Sequence, residues 1–178
     1  MGLQLIFVVE TNKKCNSDWI YIKDTIEHFY SYERTQIKLS VVYMDGKGNY
    51  NSGKKEKEIQ NYIAQYSVTS KNNRSSVICC FDCDDYDSKS DDFNFLKDAQ
   101  DYCETQNYKF VWFCKDIEQV YIGKRIDDSL KKKEAAKFKA KKLIQTVGDQ
   151  KLSARKYKIQ ASNILNILDE YEELKRKQ

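Results

Sequence analysis

Proline is absent from the 178 residues of this chain, and glycine occurs only six times. Proline interrupts helices and sheets, and both residues dominate tight turns, so their scarcity favours long helices and short connections over a turn-rich β-sandwich. Neither a P-loop nor a G-x-G-x-x-G motif is present. Nucleotide binding by a glycine-rich loop therefore has no support in the sequence.

A long apolar run is also missing. The N-terminal run Leu3–Val9 is far too short to span a bilayer, carries no basic flank, and leads into Glu10 rather than a small-residue cleavage site. The six cysteines lack the spacing of a disulfide framework, and the C-x-x-C of Cys80 and Cys83 has no second pair to complete a zinc site. These features predict a cytoplasmic protein with reduced thiols and no membrane association.

The composition predicts a folded chain, with 40% hydrophobic and 13% aromatic residues. Apolar runs and helical periodicities alternate as β-α-β-α-β-α-β. The predicted strands cover residues 3–9, 37–43, 77–81 and 108–114, and the predicted helices cover residues 19–30, 54–66 and 95–103. This order predicts an α/β fold of the Rossmann-like type, with a mostly parallel four-stranded sheet flanked by helices.

Residues 127–178 are predicted to form a helical C-terminal extension to a domain spanning residues 1–126. A basic helix would come first, followed by an amphipathic helix with apolar residues at Ala161, Ile164 and Leu168. We expect that last helix to dock on the domain or to form a homo-oligomer.

Acidic residues follow two predicted strands. Glu10 comes directly after the first, and Asp82, Asp84 and Asp85 follow the third. Ligands of parallel sheets bind outside the carboxyl ends of the strands, so these carboxylates can converge there. If Asp82 and Asp84 stay extended, both side chains lie on one face. Crowded carboxylates favour a hard cation, which predicts Mg²⁺, with Mn²⁺ as a substitute.

The same residues carry a resemblance to a known family. A strand ending in Glu10, with Phe81-Asp82-Cys83-Asp84-Asp85 after the third strand, resembles the Toprim domain and its small RloB-like and OLD-nuclease-related members. The resemblance covers roughly residues 3–125. It departs from the family where Thr11 replaces the glycine that usually follows the first glutamate.

The resemblance implies Mg²⁺-dependent cleavage of DNA or RNA, commonly in bacterial defence against phage. It assigns catalysis to Glu10, Asp82 and Asp84, with Asp85 as a further metal ligand. Asp18 and Glu118 correspond to second-tier acidic positions of the relatives. OLD nucleases carry their own ATPase domain, so this chain is expected to act alone or with a separately encoded ATPase. The alternative is a non-catalytic Toprim-like or flavodoxin-like module that binds metal or a partner.

Basic residues are concentrated after the predicted catalytic domain. Seven lysines occur between residues 131 and 142, and they predict salt-sensitive contacts to nucleic-acid phosphates, or else a solvated helix face. The residues proposed for phosphate contact are Lys131, Lys132, Lys133, Lys137 and Lys141. Lys124, with Arg125, lies nearer the predicted site and is expected to steady the scissile phosphate, a rim salt bridge being the alternative.

Overall fold

The computed structural model describes residues 2–177, which alternate between strands and helices. The strands are β1 Leu3–Val9, β2 Tyr30–Ser31, β3 Ile37–Tyr43, β4 Arg74–Asp82, β5 Lys109–Cys114, β6 Ala161–Ser162 and β7 Lys175–Arg176. The helices are α1 Ser17–Phe29, α2 Gly53–Ser67, α3 Ser90–Thr105, α4 Ile117–Ile122, α5 Asp128–Ala140, α6 Asp149–Leu152 and α7 Ile164–Leu168. None of these helices has both the length and the apolar character needed to cross a membrane.

The main sheet has five strands in the order β3-β1-β4-β5-β6. The predicted parallel arrangement is confirmed for β3, β1, β4 and β5, whereas β6 pairs antiparallel with the end of β5. A second, two-stranded sheet joins β2 to β7. Because β1, β4 and β5 run in the same direction, their carboxyl ends open at one edge of the sheet.

The strand β1 is buried along its whole length, as its continuous apolar run predicts. Its successive side chains point to opposite faces of the sheet, so they enter two separate core layers. Leu5 and Phe7 pack in the layer that contains α1, α5 and the C-terminal segments. Ile6 and Val8 pack in the layer covered by α2 and α3.

Aromatic rings connect α1, α4 and α5 in the first layer. Tyr21 of α1 is stacked on Tyr121 of α4 at a ring distance of 5.1 Å, and Phe138 of α5 meets Tyr21 edge-on at the same distance. Thr25 and Tyr121 share a buried hydrogen bond of 2.6 Å. These contacts fix α4 and α5 against α1 beside the carboxyl ends of the strands.

The predicted helical extension is correct for the basic helix, which is α5, and wrong for the amphipathic helix. Residues 161–176 form β6, the short helix α7 and β7 instead of one long helix. The side chain of Asn163 pairs with the edge of β5, accepting from the N–H of Trp112 at 2.9 Å and donating to the carbonyl of Phe110 at 3.0 Å. Pairing with an open sheet edge therefore prevails over helical periodicity in this segment.

The apolar residues of the C-terminal segment are buried against the rest of the chain. Ile164, Leu168, Tyr171 and Leu174 all lie in the core layer that also holds α1 and β1. Residues 127–177 thus pack into the same core as β1 and α1 rather than forming an appended extension. Residue 1 of the predicted domain and residue 178 of the predicted extension lie outside the described part of the chain. The apolar residues expected to dock on the domain or to form a homo-oligomer are buried within the chain. Homo-oligomer formation stays a prediction.

Candidate functional site

Glu10 and Asp82 meet at the carboxyl ends of β1 and β4. The backbone N–H of Asp82 donates to Oε1 of Glu10 at 2.8 Å, and the N–H of Ile117 donates to Oδ1 of Asp82 at 2.9 Å. Glu10 and Asp82 stand at the ends of β1 and β4, and Ile117 begins α4, which follows the neighbouring parallel strand β5. The sheet thus brings together carboxylates that lie 72 positions apart in the sequence.

Asp18 and Glu118 join them from helices. Asp18, in the first turn of α1, is buried and accepts hydrogen bonds from the N–H of Thr11 at 3.0 Å and the hydroxyl of Ser17 at 3.2 Å. Glu118, in the first turn of α4, has no solvent exposure. Among residues 2–177, neither carboxylate oxygen of Glu118 has a hydrogen-bond partner. We call Glu10, Asp18, Asp82 and Glu118 the acidic cluster.

The acidic cluster is electrostatically strained. Burial raises the pKa of Glu10 from 4.5 to about 8, and the negative charges of Asp18 and Asp84 add to this effect although the hydrogen bond from Asp82 opposes it. Burial also raises the pKa of Glu118 from 4.5 to about 7, against the positive charge of Lys131. The pKa of Asp82 is raised well above its ordinary value by burial, then by the charges of Glu10, Asp18 and Glu118. The charges of Glu10, Asp18 and Glu118 thus act on the pKa of Asp82, and the charge of Asp18 acts on those of Glu10 and Glu118, as expected for carboxylates in one neighbourhood.

The extended conformation that would place Asp82 and Asp84 on one face does not continue to Asp84. Its φ of 47° is in the left-handed region, so β4 ends at Asp82 and the chain turns. The carboxylate of Asp84 forms a salt bridge with Lys47, whose ammonium also contacts Asp92 at 3.1 Å. Its negative charge still raises the pKa of Glu10, so Asp84 lies at the rim of the acidic cluster with a partner of its own.

Asp85 is directed to a different set of partners. Its carboxylate contacts the ammonium groups of Lys89 at 2.7 Å and Lys115 at 3.3 Å. These pairs hold the loop after β4 against the end of β5. The structure therefore places Asp85 in loop salt bridges and not beside Glu10.

The predicted basic residues separate into two groups. Lys132, Lys133, Lys137 and Lys141 of the α5 region are exposed, as is Lys124, and contact with nucleic acid stays a prediction for them. Lys131 differs, because its side chain is only 22% exposed and its Nζ lies 3.8 Å from Oε2 of Glu118. In this structure Lys131 is a partner of the acidic cluster and not part of the exposed basic face.

Two charged residues of the site were not singled out from the sequence. Asp116 is buried between β5 and α4, where its carboxylate accepts from the N–H of Gln119 at 2.7 Å and contacts Nε of Arg125 at 3.4 Å. It follows a parallel strand just as Glu10 does, so the strand-end rule applied to β5 would have found it. Lys47 lies in a polar loop, and no local signal marks it as the partner of Asp84.

Replacement of Asp116 by alanine is expected to lower the free energy of unfolding by about 1 kcal/mol, because α4 loses the side-chain cap at its N-terminus. Urea denaturation measures this change. Asp127→Ala is the matched control, since Asp127 precedes α5 without forming a side-chain cap hydrogen bond. Equal losses in the two variants would contradict the assigned cap.

The fit of the acidic cluster to a metal can be judged from its donors. Among residues 2–177, no three His, Cys, Asp or Glu side chains are spaced to ligate one ion together as they stand. Backbone N–H groups hold one oxygen each of Glu10, Asp18 and Asp82. Even so, the donor set consists of oxygen alone, and the buried carboxylate of Glu118 lacks any hydrogen bond. That chemistry suits a hard divalent cation.

No protein-family model, curated protein or solved structure matches the chain. At the level of fold, the chain has an α/β architecture with a mostly parallel five-stranded sheet flanked by helices, consistent with a Rossmann-like fold. The Toprim resemblance remains a prediction that depends on the residues around Glu10 and Asp82.

Proposed function

We propose that this protein is a Mg²⁺-dependent nuclease of the Toprim type that hydrolyses phosphodiester bonds of DNA or RNA, with Mn²⁺ as an alternative metal. The observation that carries the proposal is the convergence of Glu10, Asp82, Asp18 and Glu118 at the carboxyl ends of parallel strands. Crowded carboxylates at this position are the usual means of holding a catalytic divalent cation.

Different residues of the acidic cluster would bind the cation and transfer the proton. Asp82 and Glu118 supply carboxylate oxygens for the cation, which when bound polarises a phosphoryl oxygen and lowers the pKa of water. Oε1 of Glu10 accepts from the N–H of Asp82, and burial raises the pKa of this carboxylate in the metal-free protein, which makes it more basic than an ordinary glutamate. We therefore assign proton transfer with the attacking water to the carboxylate of Glu10. Asp84 would act from the rim, where it is paired with Lys47.

The nucleic acid would follow the exposed face of α5. This helix begins at Asp128, and Lys131 in its first turn faces the acidic cluster. The exposed lysines then continue along a helix of 13 residues, which is roughly 20 Å long at 1.5 Å per residue. Phosphate contacts of this kind are independent of sequence and weaken with salt.

A cytoplasmic role in bacterial defence against phage belongs to the same proposal. The chain carries no glycine-rich phosphate-binding loop, so a separately encoded ATPase would supply any ATP-driven step. Affinity capture from native cells is the measurement for this partner. Recovery of the chain without an ATPase would contradict the association and leave the cleavage proposal intact.

A second candidate is a Toprim-like or flavodoxin-like module that binds metal or a partner without turnover. One observation favours the partner-binding form of this module: within the described part of the chain, no three potential ligands are spaced to share an ion as they stand. The acidic edge of the sheet would then contact a partner, and no bond would be cleaved.

The test is cleavage of plasmid DNA, single-stranded DNA and total tRNA by the purified protein in MgCl₂, MnCl₂ or EDTA. Glu10→Gln and Asp82→Asn are expected to lower the metal-dependent rate at least ~100-fold, because each removes a group that acts on the reacting atoms. Asp101→Asn is the matched control, since Asp101 is exposed on α3. Its rate should equal that of the wild type.

The outcomes separate the two candidates. Equal cleavage rates for the wild type, Glu10→Gln and Asp82→Asn would identify any cleavage as contamination and would contradict the nuclease proposal. Metal binding that is lost in Asp82→Asn, without cleavage of any of the three substrates, would favour the non-catalytic module.

A further inference from the structure

Lys131 occupies an unusual position for a lysine on a basic helix. It is the residue of α5 whose ammonium reaches the acidic cluster, at 3.8 Å from Oε2 of Glu118. The same ammonium contacts Oδ1 of Asp128 at 3.1 Å, and the side chain of Asp128 is 95% exposed. Lys131 therefore stands between a buried acid on one side and a solvated acid on the other.

The contact between Lys131 and Glu118 is a loose one. Hydrogen-bonded ammonium–carboxylate pairs have separations of about 2.7–2.9 Å, and 3.8 Å is well outside that range. Both oxygens of Glu118 are without a hydrogen bond although the side chain is completely buried. A buried carboxylate in this state leaves room for a stronger cationic partner.

The charge of Lys131 also reaches beyond Glu118. Burial by itself would lower the pKa of Lys131, but the negative charges of Glu118 and Asp82 raise it above the ordinary value. In return, the positive charge of Lys131 lowers the pKa of Asp18 against the effect of burial. Its ammonium therefore serves as a counterion for several members of the acidic cluster.

We propose that Lys131 is a resident counterion of the acidic cluster that competes with the divalent cation for Glu118 and thereby sets the affinity of the site for metal. When the cation binds, two positive groups cannot share the cluster at low cost, and the ammonium moves away from Glu118 while it keeps its contact with Asp128. The inference rests on the metal binding of the proposed function and not on cleavage. It identifies Lys131 as a positioning and regulatory residue rather than a catalytic one.

Two consequences follow from this competition. Removal of the ammonium should tighten metal binding, because the cation no longer displaces a competitor or meets a like charge. Removal should also destabilise the metal-free protein, because Glu118 is left as a buried charge without a partner. A lysine that merely packs on the protein would produce only the second effect.

The experiment is isothermal titration of MnCl₂ and MgCl₂ into the full chain at neutral pH. Lys131→Met is expected to bind Mn²⁺ at least ~10-fold more tightly than the wild type. Lys132→Met is the matched control, because it removes the same charge from the adjacent, exposed position of α5. Its affinity should lie within about twofold of the wild type, since exposed charges are screened. A thermal melt of each variant with and without Mn²⁺ gives the second measurement.

Each outcome decides the inference. Equal or weaker Mn²⁺ binding by Lys131→Met, in a wild type that binds Mn²⁺, overturns the competition while the metal site stands. If neither protein binds Mn²⁺, both the competition and the metal site are overturned. Tighter Mn²⁺ binding by Lys131→Met than by the wild type supports the competition. If the wild type also cleaves no substrate, only the nuclease activity is contradicted. If Lys131→Met folds only when Mn²⁺ is present, the competition is supported, and failure to fold in both conditions overturns it.

Discussion

A chain truncated after Ile126 is expected to remain unfolded, although the sequence predicts a complete domain up to that residue. The missing part contains large side chains that are buried in the core with β1 and α1. They are Phe138, Ile144, Leu152, Ile164, Leu165, Leu168, Tyr171 and Leu174. Burial of each such side chain contributes about 1.5–3 kcal/mol, so the joint loss of all eight reaches or exceeds the 5–15 kcal/mol by which whole domains are stable.

Circular dichroism and urea denaturation of residues 1–126 measure this effect. Within the full chain, Leu168→Ala should cost about 2–5 kcal/mol, because it leaves a cavity at a fully buried position. Ile159→Ala is the matched control, since Ile159 is 54% exposed and its truncation should change stability by less than about 0.5 kcal/mol. A cooperative unfolding transition of the truncated chain would contradict this expectation and would support a domain that ends at residue 126.

Raising the pH from 5 to 8 in the absence of divalent metal is expected to lower the free energy of unfolding by about 3 kcal/mol. Glu10 has a pKa of about 8 in the folded protein, and Glu118 one of about 7, against 4.5 for both as ordinary glutamates. Between these values the folded state binds more protons than the unfolded state. The stability contributed by these two glutamates is therefore fully present below pH 4.5 and is lost as the pH rises through the folded pKa values. The expected change in the free energy of unfolding is smaller than the two pKa shifts would give in full, because Glu10 is partly exposed and solvent screens its charge.

Urea denaturation at a series of pH values in EDTA measures this slope. Glu10→Gln should reduce this slope to the part contributed by Glu118, because glutamine carries no charge at any of these pH values. Glu33→Gln, which changes an exposed glutamate, should leave the slope of the wild type intact. Addition of Mg²⁺ at pH 8 should restore stability, since a cation bound to the folded state neutralises the carboxylates. Stability that rises steadily from pH 5 to 8 in EDTA would contradict the strained acidic cluster.

The main sheet was predictable because its strands are local features. β1 and β3 have the predicted bounds, and β4 and β5 differ by a few residues at their ends. Continuous apolar runs such as Leu3–Val9 have one stable environment, a strand covered on both faces. The order of strands and helices then requires a parallel sheet. The meeting of Glu10 and Asp82 follows from the same topology.

The conformations that prediction missed depend on partners distant in the sequence. Residues 161–176 have helical spacing, yet Asn163 and β6 pair with the open edge of β5, and β7 pairs with β2. Asp82 and Asp84 would share a face only on an extended strand, but the turn that begins at Asp84 places it beside Lys47. In both cases a hydrogen bond or an ion pair with another element outweighs the local preference.

The amino-acid sequence by itself determined the fold class, the parallel core of the sheet and the edge at which its carboxylates gather. These follow from periodicity and element order, which are properties of neighbouring residues. Only the tertiary structure decided which acids are buried together, that Lys131 turns inward while Lys132 and Lys133 remain in solvent, and that the C-terminal segment completes the core. The physical reason is that burial and electrostatic coupling depend on distances between elements, and those distances are set when α1, α4 and α5 pack together.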